Sequence, residues 1–287
     1  MALPVVVGVD GSARAVDAAR FAAEEARRRG APLHLVTVVA WPYDGLTATP
    51  PDVDLPALLD ETGAAVVAGA AAAVTAPEVT TSVRTGDPVT VLTDLTADAQ
   101  LVVLGSRGVG GVAGLLLGSV AGAVVAHAHC PVLVLPDDTA VVMRDRRSVV
   151  VGVAGRSDDD LVLAVAFAEA ASRGSDLVAV HAWQDVVLEP EARMLSPLVD
   201  WAGALSDEER ALSEALAGWR EKEPDVVVRE LVVRDRPARA LVAASLTAEV
   251  LVVGRRHRRA LGSTPHGVLH RAVCPVVVVP LPAGADR

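Results

Sequence analysis

Short runs of Val and Leu alternate along this chain with longer alanine-rich stretches. In the first half the runs fall near residues 4 to 9, 33 to 39, 79 to 84, 100 to 105 and 131 to 135. Val-rich runs of this length suit parallel strands buried on both faces. After the first run, Val16, Ala19, Ala23 and Ala26 recur at helical spacing. Arg27, Arg28 and Arg29 complement the negative pole of that helix, and Gly30 ends it. Strands alternating with helices predict an α/β fold whose parallel sheet is covered on both faces by right-handed crossovers. The expected architecture is a doubly wound, Rossmann-like sheet of five strands in the order 3-2-1-4-5. Ligands of such sheets settle at the carboxyl ends of the strands, where the winding reverses. That crevice lies between the first and fourth strands, which end at Asp10 and Gly105.

The same pattern occurs twice. Val5-Val6-Val7-Gly8-Val9-Asp10-Gly11 matches Val149-Val150-Val151-Gly152-Val153-Ala154-Gly155, and Gly30 falls on Gly174. Leu101 to Gly105 answers Val250 to Gly254, and Cys130-Pro131-Val132-Leu133-Val134 answers Cys274-Pro275-Val276-Val277-Val278. Two periods of this length predict tandem domains rather than a solenoid. They are placed at 1–136 and 148–282, joined by the polar segment from Pro136 to Arg147.

Composition narrows the partners. The formal net charge is −10, which argues against nucleic acid or an anionic membrane, because phosphate contacts need a basic face. Cys130 and Cys274 are the only cysteines, an economy that suits a reducing compartment. With no signal peptide before Val5, a cytoplasmic location is expected. Residues 109 to 136 contain no Asp, Glu, Lys or Arg and carry Gly114, Gly118 and Gly122 at GxxxG spacing. His127, His129 and Pro131 inside that window, and Arg271 in its second copy, argue against a spanning helix.

The candidate chemistry follows the fourth strand. Gly105-Ser106-Arg107-Gly108 is followed nine residues later by Gly118-Ser119. Gly105 and Gly108 allow close approach of backbone to ligand and positive φ, and Gly110, Gly111 and Gly114 keep the loop pliable. Gly118 and Ser119 open a helix whose free N–H groups attract phosphate, with the Ser119 hydroxyl as a further donor or a cap. Arg107 offers a charged fork. Asp10 offers an acceptor to ribose hydroxyls. Asp10-Gly11-Ser12 also reads as a turn with a helix cap, and the glycine segment as a surface loop of small residues.

The spacing G-x2-G-x9-G-[ST], Asp10-Gly11-Ser12 after the first strand, and the closing Cys-Pro-Val strand together resemble the universal stress protein family, over nearly the whole chain and twice. The resemblance implies ATP binding, with or without Mg2+. Asp10 and Val38 would line the adenosine side, with Gly11 and Ser12 in the turn that carries Asp10. Gly105, Gly108, Gly118, Ser119 and Val120 would hold ribose and phosphates. In the family the fifth strands meet across dimer interfaces. Val132 to Val134 and Val276 to Val279 are apolar edges that invite such pairing here between the two halves of one chain, as a pseudo-dimer, and a homodimer of two such chains through other faces is expected.

The second half departs from the pattern. Ala154 replaces Asp10, and five fewer residues separate Gly254 from Cys274 than separate Gly105 from Cys130. Gly262-Ser263 falls on Gly118-Ser119, but His257 replaces the second glycine, inside Arg255-Arg256-His257-Arg258-Arg259. That cluster could grip an anion, and the preferred reading is a solvated loop, since charge runs usually face water. One nucleotide site per chain is expected.

Lys222 is the only lysine, so no Walker-type loop is available, and neither G-x-S-x-G nor HExxH occurs. His127, His129 and Cys130 sit at a helix-to-strand junction that would splay them, so packing is expected there rather than a metal. His181 reads as a satisfied core histidine. Two functions remain: an ATP-binding stress or signalling protein acting through conformation or partner binding, and a slow ATPase or nucleotide-transfer enzyme in the same pocket. A dinucleotide redox enzyme is a weaker third, because its glycine fingerprint belongs after the first strand.

Overall fold

The computed structural model describes residues 2–40, 54–109, 117–136, 148–156, 159–183, 200–256 and 261–282. The linker from 137 to 147 lies outside them, as do Gly110, Gly111, Gly114 and the segment from His257 to Arg259. The chain divides into two compact units, one centred on Met1–Asp137 and the other on Asp138–His257 with Leu261–Arg287.

Unit 1 runs β1 (Val5–Gly8), α1 (Ala13–Arg28), β2 (Leu33–Val39), α2 (Leu55–Ala72), β3 (Val79–Thr85), α3 (Pro88–Leu95), β4 (Leu101–Gly105), α4 (Ser119–His127) and β5 (Val132–Leu135). Its strands are parallel in the order β3-β2-β1-β4-β5, with Val5 opposite both Leu33 and Leu101. The apolar runs become the core because β1 and β4 have helices on both faces: Val5, Val7, Leu101 and Val103 are fully buried. On α1, Ala18, Ala19, Ala22 and Ala26 are also fully buried, and these small side chains let the helix lie close to the sheet. The helix begins at Ser12, whose hydroxyl accepts from the Ala15 N–H at 3.1 Å. Its last helical residue is Arg28, Arg29 is the C-cap, and Gly30 then adopts φ +59°.

The charge-free window from 109 to 136 contains α4 and β5 rather than one long helix. Among the described residues, α2 is the helix long and apolar enough to cross a membrane by length and composition. It lies directly on the sheet: a β-carbon on Gly63 would stand 2.6 Å from Val83 and 2.9 Å from Val39.

Unit 2 repeats the plan with β6 (Ser148–Val153), α5 (Asp159–Arg173), β7 (Asp176–Trp183), α6 (Trp201–Lys222), β8 (Val228–Arg234), α7 (Pro237–Ala244), β9 (Ala248–Arg255), α8 (Ser263–Leu269) and β10 (Val276–Pro280). The parallel order is β8-β7-β6-β9-β10. Phe167, fully buried on α5, stacks on Trp219 of α6 with ring centroids 5.6 Å apart. Under α5, Glu169 and Arg173 form a buried pair at 2.7 Å, and Arg173 also reaches Glu249 at 3.0 Å.

Candidate functional site

At the winding switch of unit 1, between the carboxyl ends of β1 and β4, lies a cavity of about 710 Å³. That is within the range of small-molecule sites. One side is apolar: Val9, Val36, Val38, Pro88, Leu92 and Leu104. The rest of the wall is the glycine segment, from Gly105 to Val109 and from Gly118 to Ala121. Asp10 joins the two.

Asp10 is held by the loops it connects. Its Oδ1 accepts from the Ser12 N–H at 3.0 Å and from the Ser12 hydroxyl at 2.7 Å. Its Oδ2 accepts from the Val109 N–H at 2.7 Å. The carboxylate therefore fastens the β1 turn to the glycine loop and stays exposed at the cavity. Gly11, at φ +86°, makes the turn. Gly11 and Ser12 serve Asp10 and α1 and lie outside the cavity wall.

The glycines act through space rather than through unusual torsions. Gly105 and Gly108 do not take the positive φ expected of them. A β-carbon on Gly108 would collide with Asp10 Oδ2, and one on Gly118 would lie 3.2 Å from the Ser106 carbonyl. That carbonyl accepts from the Gly118 N–H at 2.6 Å, clamping the end of the loop to β4. Gly118 is the N-cap of α4 and supplies no side-chain acceptor, so the first-turn N–H groups have no side-chain cap. Ser119 is the first helical residue and not the cap the sequence suggested; its side chain is exposed at the cavity beside Val120. Arg107 is half-buried in the same wall.

Pro88 and Leu92 were missed by sequence reading. Asp87 caps α3 through the Thr90 N–H at 2.8 Å and sets Pro88 in the first turn, which turns Leu92 into the cavity. The signal available was the repeat itself, since Pro237 and Leu241 stand at the matching places of unit 2.

The ligand-type residues near β5 do separate. His127 Nδ1 contacts the Ala123 carbonyl oxygen at 2.8 Å, and His129 Nδ1 contacts the Thr96 hydroxyl at 3.2 Å. Burial pushes the Cys130 thiol up to about 12, far from a thiolate at neutral pH. His181 is buried, with Nδ1 2.9 Å from the Val153 carbonyl oxygen and Nε2 2.8 Å from Glu208.

In unit 2 the corresponding cavity is about 300 Å³. Where Ala154 replaces the carboxylate, Asp159 of α5 has taken over the turn. Its Oδ2 accepts from the Ala154 and Arg156 N–H groups, both at 2.9 Å. Its Oδ1 meets Arg256 at 3.4 Å. The first two residues of the basic cluster are not part of the solvated loop expected: Arg255 belongs to β9 and is 3% exposed, and Arg256 is drawn to a buried carboxylate, while His257 to Arg259 lie outside the described residues. Sequence reading passed over Asp159, although Asp158-Asp159-Asp160 stands where the first half has Arg14-Ala15-Val16.

Tandem doubly wound sheets, with a glycine-walled cavity at the winding switch of the first, define a duplicated α/β protein with one large candidate pocket. The family model of the universal stress protein family matches residues 1–136 and 145–280. Two universal stress proteins of Mycobacterium tuberculosis are 38% identical over 294 residues and 40% identical over 292 residues, each alignment covering 96% of this chain and 96% of the relative. The crystal structure of a universal stress protein from Archaeoglobus fulgidus matches with TM-score 0.68 at 21% identity, covering 99% of this chain and 98% of that one. The chain belongs to the universal stress protein family.

Proposed function

We propose that unit 1 binds ATP, with or without Mg2+, and that occupancy sets the conformation or partner binding of a stress-response or signalling protein. The observation that carries this reading is the mixed cavity: apolar residues from Val9 to Leu104 that suit a base, in one wall with the Asp10 carboxylate and the first turn of α4, which has no side-chain cap. Asp10 stands where ribose hydroxyls need an acceptor. Gly105, Gly108, Gly118, Ser119 and Val120 border the space for phosphates, with Arg107 as their charged partner.

Binding is favoured over turnover by the wall itself. Among the described residues its polar side chains are Asp10, Ser106, Arg107 and Ser119, and both Asp10 oxygens are already engaged. Lys222, the only lysine, lies on α6 of unit 2. The test is calorimetric titration with ATP and magnesium alongside a phosphate-release assay. One ATP per chain with release no faster than the uncatalysed background supports the proposal. No binding, or two equal sites, overturns it. A cytoplasmic homodimer belongs to the same reading, and light scattering at twice the chain mass of 29.5 kDa is its check.

A further inference from the structure

β3 is the outer strand of unit 1, and among the described residues nothing bonds to the backbone of its far edge. The Glu78 carbonyl accepts from the Leu33 N–H, and the Gly86 N–H donates to the Val39 carbonyl, so even-numbered residues bond to β2. Backbone groups alternate along a strand, which turns the N–H and C=O groups of Val79, Thr81, Val83 and Thr85 outward. The register with β2 runs unbroken from Val79 to Thr85, with no bulge to twist the edge away. β3 also carries none of the lysines or prolines that blunt edges, and Val79, Thr80 and Thr81 are exposed.

Two charges frame this edge. Glu78 and Arg84 are exposed, and among the described residues neither has a hydrogen-bonded or ion-paired side chain. On the outer strand of unit 2 the charges are engaged instead: Arg229 meets Asp176 at 2.6 Å, Glu230 meets Arg220 at 2.6 Å, and Arg234 lies 3.6 Å over the Trp201 ring. A second β3 laid antiparallel, about a two-fold axis at Thr81, would set Glu78 opposite Arg84 of the other copy, twice. In that register outward backbone groups meet outward groups. Val79 faces Val83 on the α2 side, and Thr80 faces Ser82 on the side of His34. Moving the axis to Thr80 or Ser82 leaves both charges unpaired.

Such an axis keeps both α2 helices on one face of the sheet. Each α2 lies astride β2 and β3, at Val39 and Val83. Two strand spacings of about 4.8 Å then set the helices about 9.6 Å apart, inside the roughly 8–10 Å of packed helices. Val66 faces the β1 turn at Gly11, so Ala57, Asp60, Ala64 and Ala68 on the flank away from it, all exposed, turn toward the other copy. We infer that two copies of this chain associate through the outer edges of β3, antiparallel about Thr81, with their α2 helices side by side. The inference rests on the homodimer proposed above and names its surface.

The experiment measures association of the full chain by light scattering and sedimentation. Glu78→Arg and Arg84→Glu each oppose like charges and should weaken the dimer by about tenfold or more, while the double variant restores both pairs and should return to within about threefold of the parent. Thr81→Cys puts two cysteines on the axis, where opposed Cα atoms lie about 5.5 Å apart, inside the roughly 4.4–6.8 Å span of disulfides. A mild oxidant should link that variant into a band of twice the chain mass. Val79→Cys, whose opposite residue is Val83, should not link, and Cys130 and Cys274 are buried. A dimer unmoved by either charge reversal, no link in Thr81→Cys, or equal linking of Val79→Cys overturns the inference and leaves the homodimer standing. A parent that stays monomeric at every concentration overturns both. Should a charge variant fail a thermal melt, the two cysteine variants decide.

Discussion

Gly108 and Asp10 are a matched pair: the space a β-carbon would need on the first is filled by Oδ2 of the second. The same oxygen accepts the Val109 N–H at 2.7 Å, so the collision cannot be relieved without unfastening the loop. Gly105 is under less constraint, since its nearest neighbour would be the Arg107 carbonyl at 3.3 Å. Gly108→Ala should weaken ATP binding by about tenfold, on the order of 1.4 kcal/mol, with the melting temperature nearly unchanged because the site is exposed. Gly105→Ala should cost less. Titration of both variants checks this, and the reverse ranking would show that Gly108 does not set the loop.

Asp10→Ala removes the acceptor for Ser12 and for Val109 together. The turn at Ser12 and the loop at Val109 then lose their common anchor. Trypsin should cut after Arg107 faster in this variant than in the parent, and added ATP should not restore protection. Equal cleavage in the two proteins would mean that the loop is held by other contacts.

The pair Glu169–Arg173 is 1% exposed on both sides, and removing one partner leaves a buried charge. Glu169→Ala should destabilise unit 2 by about 3–5 kcal/mol, toward the lower value because Arg173 keeps Glu249. The pair Arg210–Asp207, three residues apart on α6, is 69% and 72% exposed. Asp207→Ala should change stability by only about 0–1 kcal/mol. Urea unfolding of the two variants measures the contrast, and similar midpoints would refute it.

His34 lies between β2 and β3, with Nδ1 2.8 Å from the Thr80 hydroxyl and Nε2 3.0 Å from that of Ser82. Burial, and then the charge of Arg84, hold its pKa below the ordinary value of 6.5. The unfolded chain therefore binds this proton more readily than the folded one. The stability due to neutral His34 is present above pH 6.5 and is lost as the pH falls below it. His34→Gln should flatten the decline in melting temperature between pH 7 and pH 5. A decline as steep as the parent's would place the pH sensitivity elsewhere.

The strands of unit 1, the end of α1 at Arg28 and the switch between Asp10 and Gly105 were legible because periodicity and the Gly30 stop are local signals. Two parts of the site were not. Pro88 and Leu92 read as an ordinary capped helix, and only the pairing of β1 with β4, strands far apart in sequence, brings α3 over the cavity. The exchange of Asp10 for Asp159 was hidden for a similar reason: a carboxylate moved from the strand end to the next helix restores the same turn from the other side. Arg255 and Arg256 were misread because a run of charge says nothing of a buried acid across the cavity.

The register of Val5 with Leu101 has a consequence for biosynthesis. β1 leaves the ribosome first and finds β2 early, but its other edge waits until β4 has been made. Parallel pairings between distant segments form slowly, and domains fold as their chain emerges. Of the cavity wall, the last pieces to be made are Val109 and the start of α4, which complete it around Asp10. A nascent chain halted before Ser119 would therefore carry most of a sheet and no competent pocket, so ligand can stabilise unit 1 only once its synthesis is nearly finished.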